Sequence, residues 1–253
     1  MPLLDYVTLA SDIGYDFISV NYGGAANRLN DRSPEPLRES ASLRHDLAAA
    51  ARTRGLRIEL VEGFAIASDL EVGQYAADLE AVAEIGARSI CAVSLDKDLA
   101  RTNAQFAALA EMAETRGLLV TTEVGAGVMR NFEVARAAWN DVAHSNFKLL
   151  IDAMHFFRRG GSVDDLALIP GSAIGHIQLC DVPMPSQMES YLEEALFERR
   201  APGDGDLPLK SFLEQIPAEA PIGLEIPIRS ELKGEFGAKA TLQRCLTAAE
   251  ALT

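Results

Sequence analysis

Glu123, Asp152, Gln178 and Glu225 each close a short apolar run: Leu118–Glu123 (LLVTTE), Lys148–Asp152 (KLLID), Ile174–Gln178 (IGHIQ) and Ile222–Glu225 (IGLE). Three carboxylates and one carboxamide make an oxygen-rich donor set. Such a set suits a hard divalent cation, Mn²⁺ or Mg²⁺, better than a thiolate-loving one. A glutamine where a histidine could stand removes the nitrogen that Zn²⁺ favours, although Zn²⁺ and Co²⁺ stay among the options. His155 follows Asp152 by three, in the loop that starts the next segment, where it could act as a base or donate to a substrate oxygen. Arg199 and Arg200 precede the turn APGDGDL, in which Gly203 and Gly205 permit positive φ. An arginine held there would clamp a hydroxyl, carboxylate or phosphate. Glu59 and Glu62, at the end of LRIELVE, are candidates for contacts with substrate hydroxyls.

Each residue also has a plainer reading. A glutamate at a strand end is commonly a salt-bridge partner or a solvated cap. Arg199 and Arg200 would then sit in solvent, balancing Glu193, Glu194 and Glu198. His176 precedes Gln178 by two, so it shares that face of the strand one layer deeper and reads as a core residue. His45 and His144 fall in helical patterns and read as surface residues, while Trp139, Phe156 and Phe157 read as packing.

Positioning these donors together requires the runs to lie side by side. Short apolar runs bounded by Gly, Pro or polar residues and separated by helical patterns read as buried parallel strands. The earlier strands are Phe17–Asn21, Leu56–Val61 and Ser89–Val93. The helical patterns are Leu3–Ile13, Leu37–Arg54, Glu71–Ile85, Thr102–Arg116, Phe132–Ala143, Leu209–Gln215 and Phe236–Ala251. Gly14, Gly55, Gly86 and Gly117 stop four of them. Residues 22–36 read as a long polar loop of the kind that carries function. A period of roughly 30 residues is that of repeating βα units. The fold class is therefore α/β, a (β/α)8 TIM barrel over residues 1–253 as a single domain, with the first strand missing or atypical. Seven strands are visible, and the chain opens in a helix where a strand should precede it. An open doubly wound sheet is the alternative, but no Gly-rich nucleotide loop follows an early strand. In either fold the carboxyl ends of the strands share one edge, where ligand pockets form.

Composition narrows the function. A net charge of −14 over 253 residues repels phosphate backbones and anionic lipid, so neither nucleic acid nor a membrane is an expected partner. The N-terminal stretch lacks the basic and apolar regions of a secretory signal, and a cytoplasmic location follows as an expectation. Cys91, Cys180 and Cys245 are too widely spaced for a disulfide framework or a thiolate site and read as buried apolar residues.

At these residues the chain resembles the xylose isomerase-like TIM-barrel family, also called the sugar phosphate isomerase/epimerases. The matching pieces are TTE at 121–123, LLIDAMHFFRRGGS at 149–162, IGHIQLCDVP at 174–183, RRAPGDGDLPL at 199–209 and PIGLEIP at 221–227, in the family's order and spacing. The resemblance implies one divalent metal ion held by Glu123, Asp152, Gln178 and Glu225. It also implies a substrate-binding His155 and a substrate-binding arginine at Arg199, with Arg200 as the fallback. The expected substrate is a small polyhydroxylated keto compound, and family habit together with apolar outer helices suggests a homodimer. In the family's epimerases the third ligand is usually histidine, whereas dehydratases of the 3-dehydroshikimate kind carry glutamine, as here. The expected chemistry is isomerisation or epimerisation through a metal-stabilised enediolate, with Glu123 and Glu225 as the proton-moving pair. A lyase is the runner-up, with His155 as the acid, and a catalytically degenerate binding barrel is the third reading. An abasic-site endonuclease shares this fold but needs several metals and many histidines, and this chain has 4.

Overall fold

The structure is a computed structural model, and it describes residues 1–23, 37–232 and 237–252. The long polar loop expected at 22–36 lies almost wholly outside the described residues. The chain opens with α1 (Leu3–Ile13) and β1 (Phe17–Asn21), followed by α2 (Ala41–Thr53), β2 (Arg57–Ile66), α3 (Ala76–Glu84) and β3 (Ala87–Ser94). Then come α4 (Leu99–Glu114), β4 (Leu119–Glu123), α5 (Phe132–Val142) and β5 (Phe147–Asp152). Two short helices, α6 (Ala153–Arg158) and α7 (Val163–Leu166), lead to β6 (Ile174–Leu179). The chain ends with α8 (Tyr191–Phe197), α9 (Leu209–Leu213), β7 (Ile222–Leu224), α10 (Arg229–Leu232) and α11 (Gly237–Glu250).

The strands pair in sequence order, all parallel, in a 7-stranded sheet. β1 and β7 come within 8 Å, Cα to Cα, without pairing in that sheet. Among the described residues the barrel is thus nearly closed, with a seam between β1 and β7. A cavity of about 360 Å³ lies on that seam, lined by Tyr6 and Ala10 of α1, Phe17 of β1, Gly223 of β7 and Leu246 of α11.

Local sequence explains the element ends. Ser40, Asp98, Asn131 and Ser190 each accept a backbone N–H from three residues on, satisfying donors that a helix start leaves open. The expected helix at 71–85 begins instead as a 3-10 turn, Val72–Tyr75, and β2 runs on to Ile66, past the expected end at Val61. The outer layer is apolar where helices meet strands. Phe106 against Phe147 and Phe132 against Phe156 are edge or tilted ring pairs in that layer. Phe157 packs on Phe212, so the two phenylalanines beside His155 are packing, as expected. All three cysteines are free and buried.

Pairing register decides what faces the barrel axis. Glu123 sits opposite Leu150, Asp152 opposite Gln178, and Gln178 opposite Gly223. Since paired residues share a face, the last inward residues of the final four strands are brought to one rim. One layer down lie Leu60, Cys91 and Leu150, a small buried apolar cluster. His176 shares that layer, opposite Leu150 and with no exposure.

Candidate active site

Asp152 anchors the rim because it does two jobs. It ends β5 and caps α6: its Oδ1 accepts the backbone N–H of His155 at 2.8 Å. His155 is therefore in the first turn of a helix, not in a loop as expected. Asp152 Oδ2 accepts Arg199 Nη1 at 2.5 Å, and this pair is buried, at 2% and 0% side-chain exposure. The same Nη1 reaches the carbonyl oxygen and Oε2 of Glu225, each at 3.2 Å, while Nε donates to Ala195 O at 2.9 Å. Partners on several sides offset the cost of taking the guanidinium out of water. Burial pushes the Asp152 carboxyl up, but Arg199 and His155 together hold it below its ordinary value.

The other two carboxylates behave differently. Burial, then Glu225, Asp152 and Glu62, push Glu123 well above the usual carboxylate range. Loss of hydration pushes Glu225 up to about 8, with Asp152 and Glu62 adding to the rise and Arg199 opposing it. Glu123 Oε1 lies 3.1 Å from His155 Nε2. Burial lowers His155, which is thus a neutral imidazole near pH 7. Across the barrel, Gln178 Nε2 donates to Glu62 Oε1 at 2.8 Å. That bond commits the amide nitrogen and leaves the carbonyl oxygen as the atom Gln178 can offer.

The structure brings Glu62, Glu123, Asp152, Gln178, Glu225, His155 and Arg199 to one rim. It leaves out Arg200, whose guanidinium turns outward to Asp204 O at 3.1 Å and Gln187 Oε1 at 2.7 Å. It also leaves out Glu59, which lies nearer the start of β2 beside Arg57 and Arg88. The plainer reading of Arg199 fails as well: Glu194 is taken by Arg158 and Glu193 by Arg229. His144 is not helical but sits just past α5, where its Nδ1 accepts the N–H of Asn146.

Chemically the donors fit a divalent cation. Four carboxylates repel one another here, and against them stands the guanidinium of Arg199. A 2+ ion would offset that excess negative charge, and acidic oxygens with one amide oxygen are its preferred partners. Among the described residues, however, no group of three or more His, Cys, Asp or Glu side chains is gathered as a ligand set. Arg199 Nη1 stands between Asp152 and Glu225, so an ion would have to share or displace its bonds.

Three supporting features were not foreseen. Asp181 staples the turn after β6: its Oδ1 accepts Val182 and Leu207 N–H, and its Oδ2 accepts that of Gly203. Gly203 has the expected positive φ of 87°, but Gly205 matters for room, since a Cβ there would stand 2.3 Å from Asp181 Oδ1. Second, Arg158 and Glu194 form a buried pair between α6 and α8, at 2.7 Å. Third, Tyr191 at the start of α8 hydrogen-bonds through its hydroxyl to His155 Nδ1. The matched spacings His155/Arg158 and Tyr191/Glu194, each i and i+3, carry this signal in the sequence.

The family model described as xylose isomerase-like TIM barrel matches residues 7–248. The chain belongs to that family. Solved structures of like fold include an IOLI protein with a bound zinc atom, 20% identical, with a TM-score of 0.80 and covering 100% of this chain and 93% of that one. D-Psicose 3-epimerase from Clostridium cellulolyticum H10, with D-tagatose, is 16% identical over 98% of this chain and 93% of its own, with a TM-score of 0.75. The probable 3-DHS dehydratase AsbF from Bacillus anthracis is 14% identical over 99% and 94%, with a TM-score of 0.73. At these identities the likeness is one of fold. No curated protein matches the chain. Among the described residues no helix is long and apolar enough to cross a membrane.

Proposed function

We propose that this protein is a divalent-metal-dependent isomerase or epimerase acting on a small polyhydroxylated keto compound. The observation that supports this most is the convergence of Glu123, Asp152, Gln178 and Glu225 at the carboxyl ends of four consecutive strands. These residues would hold the ion, with Mn²⁺ or Mg²⁺ preferred by the oxygen donors. When bound, the ion would supply Lewis-acid polarisation of a carbonyl and its neighbouring hydroxyl.

The protein's own groups do the remaining work. Glu225, just past β7 and within 3.2 Å of Arg199 Nη1, is the candidate to take and return a proton. Glu123, on a different strand, is the matching group for the opposite face of a reacting carbon. His155, neutral and held by its neighbours, donates to or accepts from a substrate oxygen. Arg199 keeps Asp152 ionised and offers its outer N–H groups to a substrate hydroxyl. The closed base of the barrel, filled by Leu60, Cys91 and Leu150, excludes water from beneath.

One residue favours a second reading. Gln178 stands where the epimerases usually carry histidine, and elimination of a β-hydroxyl by a lyase of the 3-dehydroshikimate dehydratase type would use the same carboxylates. A single experiment separates the readings: purified protein, loaded in turn with Mn²⁺, Mg²⁺, Co²⁺ and Zn²⁺, is incubated in D₂O with a panel of ketoses and 3-dehydroshikimate. Deuterium at the carbon beside the carbonyl, with no loss of water, is the expected outcome. An enone or aromatic absorbance would favour the lyase. Neither change, together with no stoichiometric metal uptake, would leave a binding barrel.

A further inference from the structure

We propose that Arg159 sets substrate specificity: its guanidinium receives a carboxylate at the far end of the substrate. The compound turned over is then a polyhydroxylated keto acid and not a neutral ketose. This rests on the reading of the site as one for a polyhydroxylated keto compound, and it narrows the substrate class within that reading.

Four arginines stand close to the site, Arg158 and Arg159 after β5 and Arg199 and Arg200 after β6, and three of them are occupied. Arg199 spends its charge on Asp152 and Glu225. Arg158 pairs with Glu194, which is only 1% exposed, and donates to Pro183 O at 2.6 Å. Arg200 donates away from the site, to Asp204 O and Gln187 Oε1. Arg159 is exposed, and among the described residues no acid pairs with it.

Arg159 is nevertheless held in place. Its guanidinium carbon lies over the face of the Tyr191 ring, 4.4 Å from the centroid. Its stem passes Gly125, where a Cβ would stand 3.3 Å from Arg159 Cγ and 2.9 Å from His155 Cβ. Gly125 lies two residues beyond Glu123, and its φ of +98° is one that side chains rarely adopt. Glycine thus lets the loop after β4 approach both residues. Tyr191 is itself fixed. It opens α8, whose N-cap is Ser190, and its hydroxyl hydrogen-bonds to His155 Nδ1. Arg159 and His155 therefore share two neighbours, Tyr191 and Gly125. That sharing sets the guanidinium beside the imidazole that faces the substrate.

Stacking uses the face of a guanidinium and leaves its N–H edge open. The edge matches the two oxygens of a carboxylate. The protein supplies no such group. Glu62, Glu123, Asp152 and Glu225 are all beyond ion-pair reach of Arg159, which the ring of Tyr191 holds apart from them. What results is a seated cation without a counterion at the edge of the site. Since the reacting carbonyl belongs at Glu123 and Glu225, a group that meets Arg159 belongs to the other end of the molecule.

The test is calorimetric titration at neutral pH in excess Mn²⁺, with two pairs of probes that differ by one charge. The pairs are 5-keto-D-gluconate against L-sorbose, and shikimate against its methyl ester. We expect the charged member of at least one pair to bind the wild type about 5-fold or more tightly than the neutral one. A larger factor, as for a buried charge pair, is not expected because Arg159 is exposed. Arg159→Met should abolish the preference by weakening the charged member alone. Its exposed position predicts that the variant folds, which circular dichroism checks. Arg200→Met, altered at the arginine that points outward, should keep the preference. No preference for charge in either pair, an absence of binding included, would overturn the proposal. So would a preference that survives Arg159→Met. Metal uptake and deuterium exchange on the same samples keep the two readings apart. No ion and no exchange sink the proposed function, whereas exchange on neutral ketoses without a preference for charge sinks this inference alone.

Discussion

The two halves of this barrel are built from the same strand-and-helix repeat, yet they carry very different charge. Strands β4 to β7 bring Glu123, Asp152, Gln178 and Glu225 to the rim and add His155 and Arg199 from the segments that follow. Strands β1 to β3 contribute Glu62, with Asn21 opposite it in register. Asn21 spends its side-chain oxygen locally, on the N–H of Gly23 at 2.9 Å. The repeat supplies rim positions on every strand; what differs is whether the facing groups can support a buried charge. Where Arg199, His155 and the α6 cap are present, carboxylates accumulate. Among the described residues, β1 to β3 bring one carboxylate, Glu62, to the shared rim.

That contrast can be broken most forcefully at Arg199. Replacing Arg199 by Met leaves Asp152 buried without its cation. Removal of one partner from a buried pair costs on the order of 3–5 kcal/mol. We expect a loss of that size in denaturant unfolding at pH 7, against little change for Arg200→Met. A loss below about 1 kcal/mol would show that the charged half does not depend on its guanidinium.

The next effect comes from His176, beneath the charged rim. It has no exposure, and among the described residues neither ring nitrogen has a hydrogen-bond partner. Burial lowers it to about 4, whereas in the unfolded chain it titrates near its ordinary value of 6.5. Between these values the unfolded chain takes up a proton that the folded one refuses. Its contribution is therefore complete above about pH 6.5 and is lost as the pH falls towards 4, by up to about 3 kcal/mol. His176→Leu should flatten the stability profile over that window relative to the wild type. Parallel profiles would mean that the layer below the rim is not dry.

Glu62 tests the quieter half. Glu62→Leu frees the amide of Gln178, and loss of a group that orients a ligand typically weakens metal binding about 10–100-fold. An isotherm for Mn²⁺ that is unchanged would show that Gln178 is held from its own side of the barrel. At the bottom of the scale, Asn21→Ala removes one local hydrogen bond, and a change of only about 1 kcal/mol or less is expected in a thermal melt. A larger effect there would mean that the neutral rim supports more than its own loop.

Much of this was legible in the residues. Phe17–Asn21 and Leu3–Ile13 end where their patterns end, and the final four strands begin and stop within one residue of the apolar runs. Strand-end carboxylates were visible because a short run buried on both faces admits a charged residue only where it leaves the sheet. Tyr191 was not singled out, because its partner is 36 positions away in the chain. The role of Asp181 as a staple depends on three backbone N–H groups that only the folded turn brings within reach. The plainer reading failed for Arg199 but not for Arg200, for a similar reason. They are neighbours in sequence and alike in chemistry, but the bridge between Asp181 and Arg200 sets the strand direction so that one points in and the other out.

By itself, then, the sequence determined the barrel, the order of its strands and the identity of the rim donors, because these follow from the periodicity and length of apolar runs. Only the tertiary structure decided which of two adjacent arginines enters the site, what holds His155 from behind, and how β1 and β7 approach across the seam. Those choices turn on contacts between residues far apart in the chain, where sub-ångström differences in direction separate a hydrogen bond from none.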